Sequence, residues 1–338
     1  MTEVNEATTM NSVIENTVHI SVSPHIRAKN TTATIMRDVL IALIPPCAMG
    51  VYTFGLRALL IILIAVAACM ATEFLFEKLL KLPLTVGDLS AAVTGVILAV
   101  NLPATVPLWM PALGGVFAIL VVKMLFGGIG QNFMNPALAA RCFLLISFAG
   151  PMTKFPETIR TLFENPSVAG ATPMTALKAG EASDWFQMLF NTHSGTIGEA
   201  SAIAILLGLA YLLARKVVNI RIPAVYILST VGFVALLQLC TGNAELLSIN
   251  YLVTHLCGGG LLIGACFMAN DYATSPITPV GQVVYALILG LLTALFRCVG
   301  SATEGVSYAI ILGNLMVPII ERFTMPKPFG MKKAASKQ

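Results

Sequence analysis

The sequence predicts an all-α polytopic membrane protein of about ten transmembrane helices in two inverted five-helix repeats, and three observations carry that prediction. Composition is the first: 57% of residues are hydrophobic, 11% are charged and the mean hydropathy is +0.85. A monomer of that balance does not stay in water. The second is a succession of apolar runs, and the third is a short pattern that occurs twice.

The apolar runs fall at 39–54, 58–76, 89–102, 108–126, 137–149, 200–213, 224–239, 252–269, 283–299 and 306–320. A straight helix needs about 20 residues to cross a bilayer. The runs at 89–102 and 137–149 are shorter, so they must tilt, extend through polar ends or break within the bundle. The resulting organisation is an N-terminal segment at 1–38, a first five-helix repeat at 39–149, a long polar loop at 150–198, a second repeat at 199–321 and a basic tail at 322–338.

The first segment is not a cleavable signal by composition. Glu3, Glu6 and Glu15 stand where a basic region belongs, and no apolar core follows before Val39. Ten spans put both termini on one side. Counting basic residues then leaves only Arg57, Lys154, Arg160, Lys178 and Arg297 on the opposite side, so the termini are expected in the cytoplasm of a cell (inner) membrane protein and the 150–198 loop outside. The net charge of +4 is a topology signal, and no nucleic-acid partner follows from it.

The repeated pattern is Gly95, Asn101, Ala104-Thr105 and Pro107, which recurs as Gly264, Asn270, Ala273-Thr274 and Pro276 at an offset of 169. The third and eighth spans each end on it. Five is odd, so the two halves would cross in opposite senses, the inverted-repeat plan of many transport proteins. Irregular backbone at membrane depth is tolerated only where protein or a cavity covers it. Asp271 therefore reads either as a carboxylate facing a bound group or as a cap at the inner surface.

Between the fourth and fifth spans run Gly127, Gly128 and Gly130, then Asn132, Asn135 and Pro136. The glycines permit close backbone approach and Pro136 suits a first helical turn. Asn132 and Asn135 offer amide donors and acceptors that suit a heteroaromatic ring edge; on the residues alone, a helix cap and a tight interhelical turn are the favoured explanation. Gly258, Gly259, Gly260 and Gly264 read as a helix-packing surface. The seven cysteines have no metal or redox spacing and read as small core residues. Nor do the scattered histidines suggest a metal site, and phosphate-loop, dinucleotide and nucleophile-elbow motifs are absent.

Within the polar loop stands Gly170-Ala171-Thr172-Pro173. Read from chemistry, it is a flexible, exposed hydroxyl that a modifying enzyme can reach, or else an ordinary turn before a helix that begins at Pro173.

Taken together, Gly170-Ala171-Thr172, the 127–137 segment, Ala269-Asn270-Asp271-Tyr272-Ala273-Thr274-Ser275-Pro276 and the 304–314 segment resemble the RnfD family of the Rnf ion-translocating electron-transport complex, over about residues 22–329. NqrB of the sodium-pumping NADH:quinone reductase is a close cousin. The resemblance implies that Thr172 carries FMN through a phosphoester bond, making the chain a phosphoprotein and a flavoprotein, with Gly170 and Ala171 forming the recognition motif of a separate flavin transferase. Ala169 stands where the family usually has Ser or Asp. It also implies a second, non-covalent flavin, riboflavin, within the bundle, with Asn132 and Asn135 matching the family's asparagines. Asp271 and Thr274, on the second copy of the repeat, are further candidates. The implied partners are RnfA, RnfB, RnfC, RnfE and RnfG, besides membrane lipid.

The activity so implied is that of one component of a redox-driven translocase. Electrons from ferredoxin or NADH pass through the two flavins and drive Na⁺ or H⁺ across the membrane. The cofactor supplies one-electron chemistry and the protein its position and potential, and charge added in low dielectric can bias a two-state bundle. NqrB has a longer N-terminal extension than the 38 residues before the first run here, which favours the Rnf complex. Open alternatives are that cousin, an inverted-repeat solute channel or transporter, and a scaffolding protein without cofactor.

Overall fold

The structure, a computed structural model, describes residues 31–155, 172–178, 189, 194–241, 248–300 and 305–326. Of the unit Met1–Thr32 only Thr31 and Thr32 are described; the helical bundle belongs to the unit Ala33–Gln338. All regular structure among the described residues is helical.

The helices are α1 (Thr32–Phe54), α2 (Leu56–Leu79), α3 (Ser90–Val100), α4 (Trp109–Phe126), α5 (Pro136–Ser147), α6 (Ala149–Met152) and α7 (Pro173–Lys178). They continue as α8 (Ala202–Ala214), α9 (Arg221–Cys240), α10 (Ile249–Cys257), α11 (Leu261–Met268), α12 (Pro279–Cys298) and α13 (Val306–Thr324). Among the described residues six are long and apolar enough to cross a membrane: α1, α2, α4, α9, α12 and α13. A seventh span arises if α10 and α11, bent by 53° at their junction, count as one. Three shorter apolar helices remain, α3, α5 and α8; the sequence pointed to the first two as short, and α8 joins them.

The first helix begins at Thr32 rather than at 39, because its polar first turns are satisfied by the packing of α8. Asp38, 6% exposed, accepts hydrogen bonds from Tyr211 Oη (3.1 Å) and Arg215 Nε (3.2 Å). Inside α1, Pro46 has no N–H to give to the Ala42 carbonyl. That carbonyl faces Gly208 of α8, where a Cβ would stand 2.3 Å from it. Only a bare Cα lets the two helices meet there.

One continuous apolar core runs from Ala42 of α1 to Ile320 of α13. Gly258–Gly260, expected as a packing surface, is instead the break between α10 and α11. Gly259 and Gly260 have φ of +62° and +72°, conformations that side chains disfavour. The carbonyls freed there are taken by the fully buried Arg297 of α12, which donates to His255 O, to Gly258 O (2.9 Å) and to Gly259 O (3.0 Å). Gly264 does pack closely, with Val306 Cγ1 2.6 Å from where its Cβ would be.

The two copies of the repeated pattern end their helices in similar ways. Asn101 Nδ2 turns back to Ile97 O (2.6 Å), and Asn270 Nδ2 turns back to Ala265 O (2.8 Å) and Cys266 O (3.0 Å). They also lie near one another, since Asn101 Nδ2 reaches Met268 Sδ at 3.6 Å.

Candidate functional site

At one end of the bundle, helix termini surround a cavity of about 820 Å³, a volume that includes its open mouth. Ile35, Met36 and Val39 of α1 and Ser90, Val93, Thr94 and Ile97 of α3 form one side. The loop after α4 supplies Ile129, Gly130, Asn132 and Asn135, while Leu212, Val217 and Val218 close the wall from α8. Cys266 and Phe267 of α11, then Asn270–Ala273, complete it. Two lining stretches are π-helical, Phe117–Lys123 and Gly264–Met268, a wide turn that recurs at functional sites.

Asn132, Asn135 and Asp271 therefore share one cavity, although Asp271 is remote from the asparagines in sequence. The asparagines differ in role. Asn135 is the N-cap of α5: its Oδ1 accepts from Ala137 N (3.1 Å) and Leu138 N (3.4 Å), with Pro136 in the first turn. Its Nδ2 donates to Met268 O at 3.4 Å, tying α5 to α11. The cap reading and the site reading both hold for it. Asn132 Oδ1 is buried and has no hydrogen-bond partner among the described residues. A buried acceptor left unpaired costs about 1–3 kcal/mol, so the cavity presents a free acceptor.

Asp271 is half-buried and organises its own turn, accepting from Ala273 N (3.4 Å) and Thr274 Oγ1 (3.2 Å). Burial pushes its carboxyl above the ordinary carboxylate range, against the lowering effect of those two hydrogen bonds. Thr274, 4% exposed, lies behind Asp271 outside the lining and orients the carboxylate.

Sequence reasoning missed the charge in this wall. Lys123, at the end of α4, lines the cavity, and its Nζ lies 2.7 Å from Glu73 Oε1 of α2 and 2.6 Å from Ser90 Oγ. Both charged side chains are buried, 3% and 0% exposed. Thr85 links Glu73 to Glu77, and Asp88 accepts from Ser90 Oγ at 2.6 Å. Opposite charges inside two runs otherwise fit for lipid were the available signal, since isolated charges there are costly.

Thr172 lies elsewhere. It caps α7, its Oγ1 accepting from Thr175 N (3.3 Å) and its carbonyl from Ala176 N (2.8 Å). It is 7% exposed, so the hydroxyl expected in the open is covered. Met174 and Leu177 of α7 pack with Val234, Tyr251 and Ala294, which belong to α9, α10 and α12. Gly170 and Ala171 lie outside the described residues. The cavity touches the approach to α9 at Val218, and α7 sits against its later turns. Helix α9 has 20 residues and rises about 30 Å at about 1.5 Å per residue. The two candidate sites thus lie at opposite ends of the bundle. Among the described residues no cluster of metal-ligating side chains occurs.

Comparison with known proteins gives a consistent answer. The model of the "NQR2, RnfD, RnfE family" matches residues 19–330. The chain is 46% identical over 319 residues to the D component of the Na⁺-translocating ferredoxin:NAD⁺ oxidoreductase complex of Acetobacterium woodii, covering 93% of this chain and 96% of that one. It is 37% identical over 330 residues to the D component of the proton-translocating ferredoxin:NAD⁺ oxidoreductase complex of Clostridium ljungdahlii, covering 94% and 98%. It is 34% identical over 356 residues to the D component of the ion-translocating oxidoreductase complex of Erwinia tasmaniensis, covering 93% and 98%.

Proposed function

The chain belongs to the NQR2, RnfD, RnfE family, and we propose that it is the membrane-embedded flavin-bearing component of an ion-translocating ferredoxin:NAD⁺ oxidoreductase complex. On this reading it is part of a redox-driven translocase and acts only with the other Rnf proteins. The observation that carries the proposal is the match to relatives so named over nearly the whole length of both chains. Their names divide between Na⁺ and protons, and the coupling ion here is one of the two.

On this reading the chain makes ten alternating crossings, with the shorter apolar helices counted as spans beside the six long ones, and the order of the helices supports it. Shifting α1 to α5 by 169 residues brings them onto α8, α9, α10–α11, α12 and α13 in order. The cavity end gathers the start of α1 with the ends of α8 and α13, and holds Arg37, Lys78, Lys81, Arg215, Lys216, Arg221 and Arg322. By the positive-inside rule that end is cytoplasmic, together with both termini. Thr172 then belongs to the outer face.

FMN joined to Thr172 and riboflavin in the cytoplasmic cavity complete the reading. A bound flavin supplies one-electron exchange. The residues fit such a group: Asn132 Oδ1 is an unpaired acceptor for a ring N–H, and it lines an open-mouthed cavity together with Asp271 and Phe267. Asn135 positions rather than binds, because its amide is committed to α5 and α11. Lys123, held by Glu73 and Ser90, provides the cationic part of the wall, while Phe267, Val93 and Ile97 exclude water. Thr172 is covered in the folded chain, so the flavin transferase acts before α7 docks.

Intact-mass measurement of the chain co-expressed with a flavin transferase tests this reading. The expected increment is FMN less water, localised to the peptide around Thr172 and abolished in Thr172→Ala while complex assembly persists. An unmodified chain from a competent host, or full electron flux through Thr172→Ala, overturns it.

A further inference from the structure

We propose that Gln238 of α9 and Tyr251 of α10 form the docking edge for the ring of the flavin carried by Thr172. This rests on the covalent assignment to Thr172 and adds where that ring lies. The argument starts from what α7 covers. Met174, two residues beyond Thr172, is 2% exposed and packs in one cluster with Tyr251. Phe233 and Leu237 on the last turns of α9 pack against the same cluster, one residue short of Gln238.

Gln238 Nε2 donates to Tyr251 Oη at 2.7 Å. The phenol is then the acceptor of that bond, and its own O–H is free to donate to another group. Gln238 Oε1 is buried and has no hydrogen-bond partner among the described residues. An unsatisfied acceptor beside a free donor calls for a complementary edge. The pyrimidine side of an isoalloxazine offers one, an N–H flanked by two carbonyls: Gln238 Oε1 accepts from the N–H and Tyr251 donates to a carbonyl. Behind that edge the buried Tyr251 and His255 rings lie 4.7 Å apart, tilted by 55°, so the edge stands on an aromatic pair. The cytoplasmic cavity cannot receive this ring, being at the far end of α9.

The test uses the full-length chain, flavinylated by co-expression with a flavin transferase, and iodide as a quencher of flavin fluorescence. In the wild type, quenching is expected to be several-fold weaker than for free FMN. Gln238→Leu and Tyr251→Phe raise it toward the free value with an unchanged flavin band on a denaturing gel. Each variant is compared only if it elutes as the wild type does on gel filtration; the wild-type measurement stands without them. A bright band whose flavin is quenched as freely as FMN overturns the docking alone, as does protection surviving in both Gln238→Leu and Tyr251→Phe. A wild-type chain with no flavin band overturns the covalent assignment and the docking with it.

Discussion

Lys123 and Glu73, 50 residues apart in sequence, form a buried ion pair of 2.7 Å at the wall of the cavity that Asn132 and Asp271 line. Removing one partner leaves a charge in low dielectric, which costs about 3–5 kcal/mol, whereas replacing both with apolar groups is often close to neutral. Lys123→Met is therefore expected to lower the thermal midpoint sharply, and Lys123→Met with Glu73→Leu to recover most of it. Melting curves of the three proteins in one detergent check this; an equally unstable double variant would contradict it.

Asn132 and Asn135 should separate on mutation. Asn135→Leu removes a cap, worth about 0.5–2 kcal/mol, and the tie to Met268, so stability falls with any change in bound flavin. Asn132→Leu removes an unpaired acceptor and should lower extractable riboflavin with no loss of stability. Flavin extraction and melting on both variants distinguish the roles; full riboflavin in Asn132→Leu removes that residue from the site.

Asp271 gives a pH test with a definite sign. Its carboxyl is raised by burial, so the folded chain holds a proton that the unfolded chain releases from about pH 3.9 upward. Stability from this group is present below that pH and is lost as pH rises through the folded value. Asp271→Asn cannot ionise, so its stability relative to the wild type should rise with pH across that window. A parallel pH dependence of the two melting temperatures would contradict the assignment.

Gly208 and Gly232 should respond oppositely to alanine. A Cβ at Gly208 meets the Ala42 carbonyl at 2.3 Å, whereas one at Gly232 meets nothing within 4 Å. Overpacking costs about 1–3 kcal/mol, while removing a helical glycine gains up to about 1 kcal/mol. Gly208→Ala should destabilise and Gly232→Ala be neutral or stabilising in thermal melts.

Much of this was legible in the sequence for local reasons. Asn135-Pro136 announces a helix start through cap and first-turn chemistry, and the structure has α5 starting there. The pattern at 95–107 and 264–276 located two helix ends because a glycine, an asparagine and a proline act on their own backbone. What was not legible depends on distant partners. The glycines at 258–260 suit close packing and positive φ alike, and only Arg297 from α12 decides for a break. Thr172 read as open because the residues that cover its helix, Val234, Tyr251 and Ala294, come from three later helices. Lys123 and Glu73 stand in separate apolar runs, and nothing local in the sequence pairs them; the fold does.

The wide turns at Phe117–Lys123 and Gly264–Met268 make the chain tolerant of length change at two places. Each holds one residue more than a regular α-helix would use for the same advance, so a single deletion there tightens the coil and leaves the downstream residues in register. The same deletion in α9 or α12 would rotate every following side chain by about 100°. Indels between relatives should accordingly collect at these slack points, and engineered length variants of this protein should survive there first.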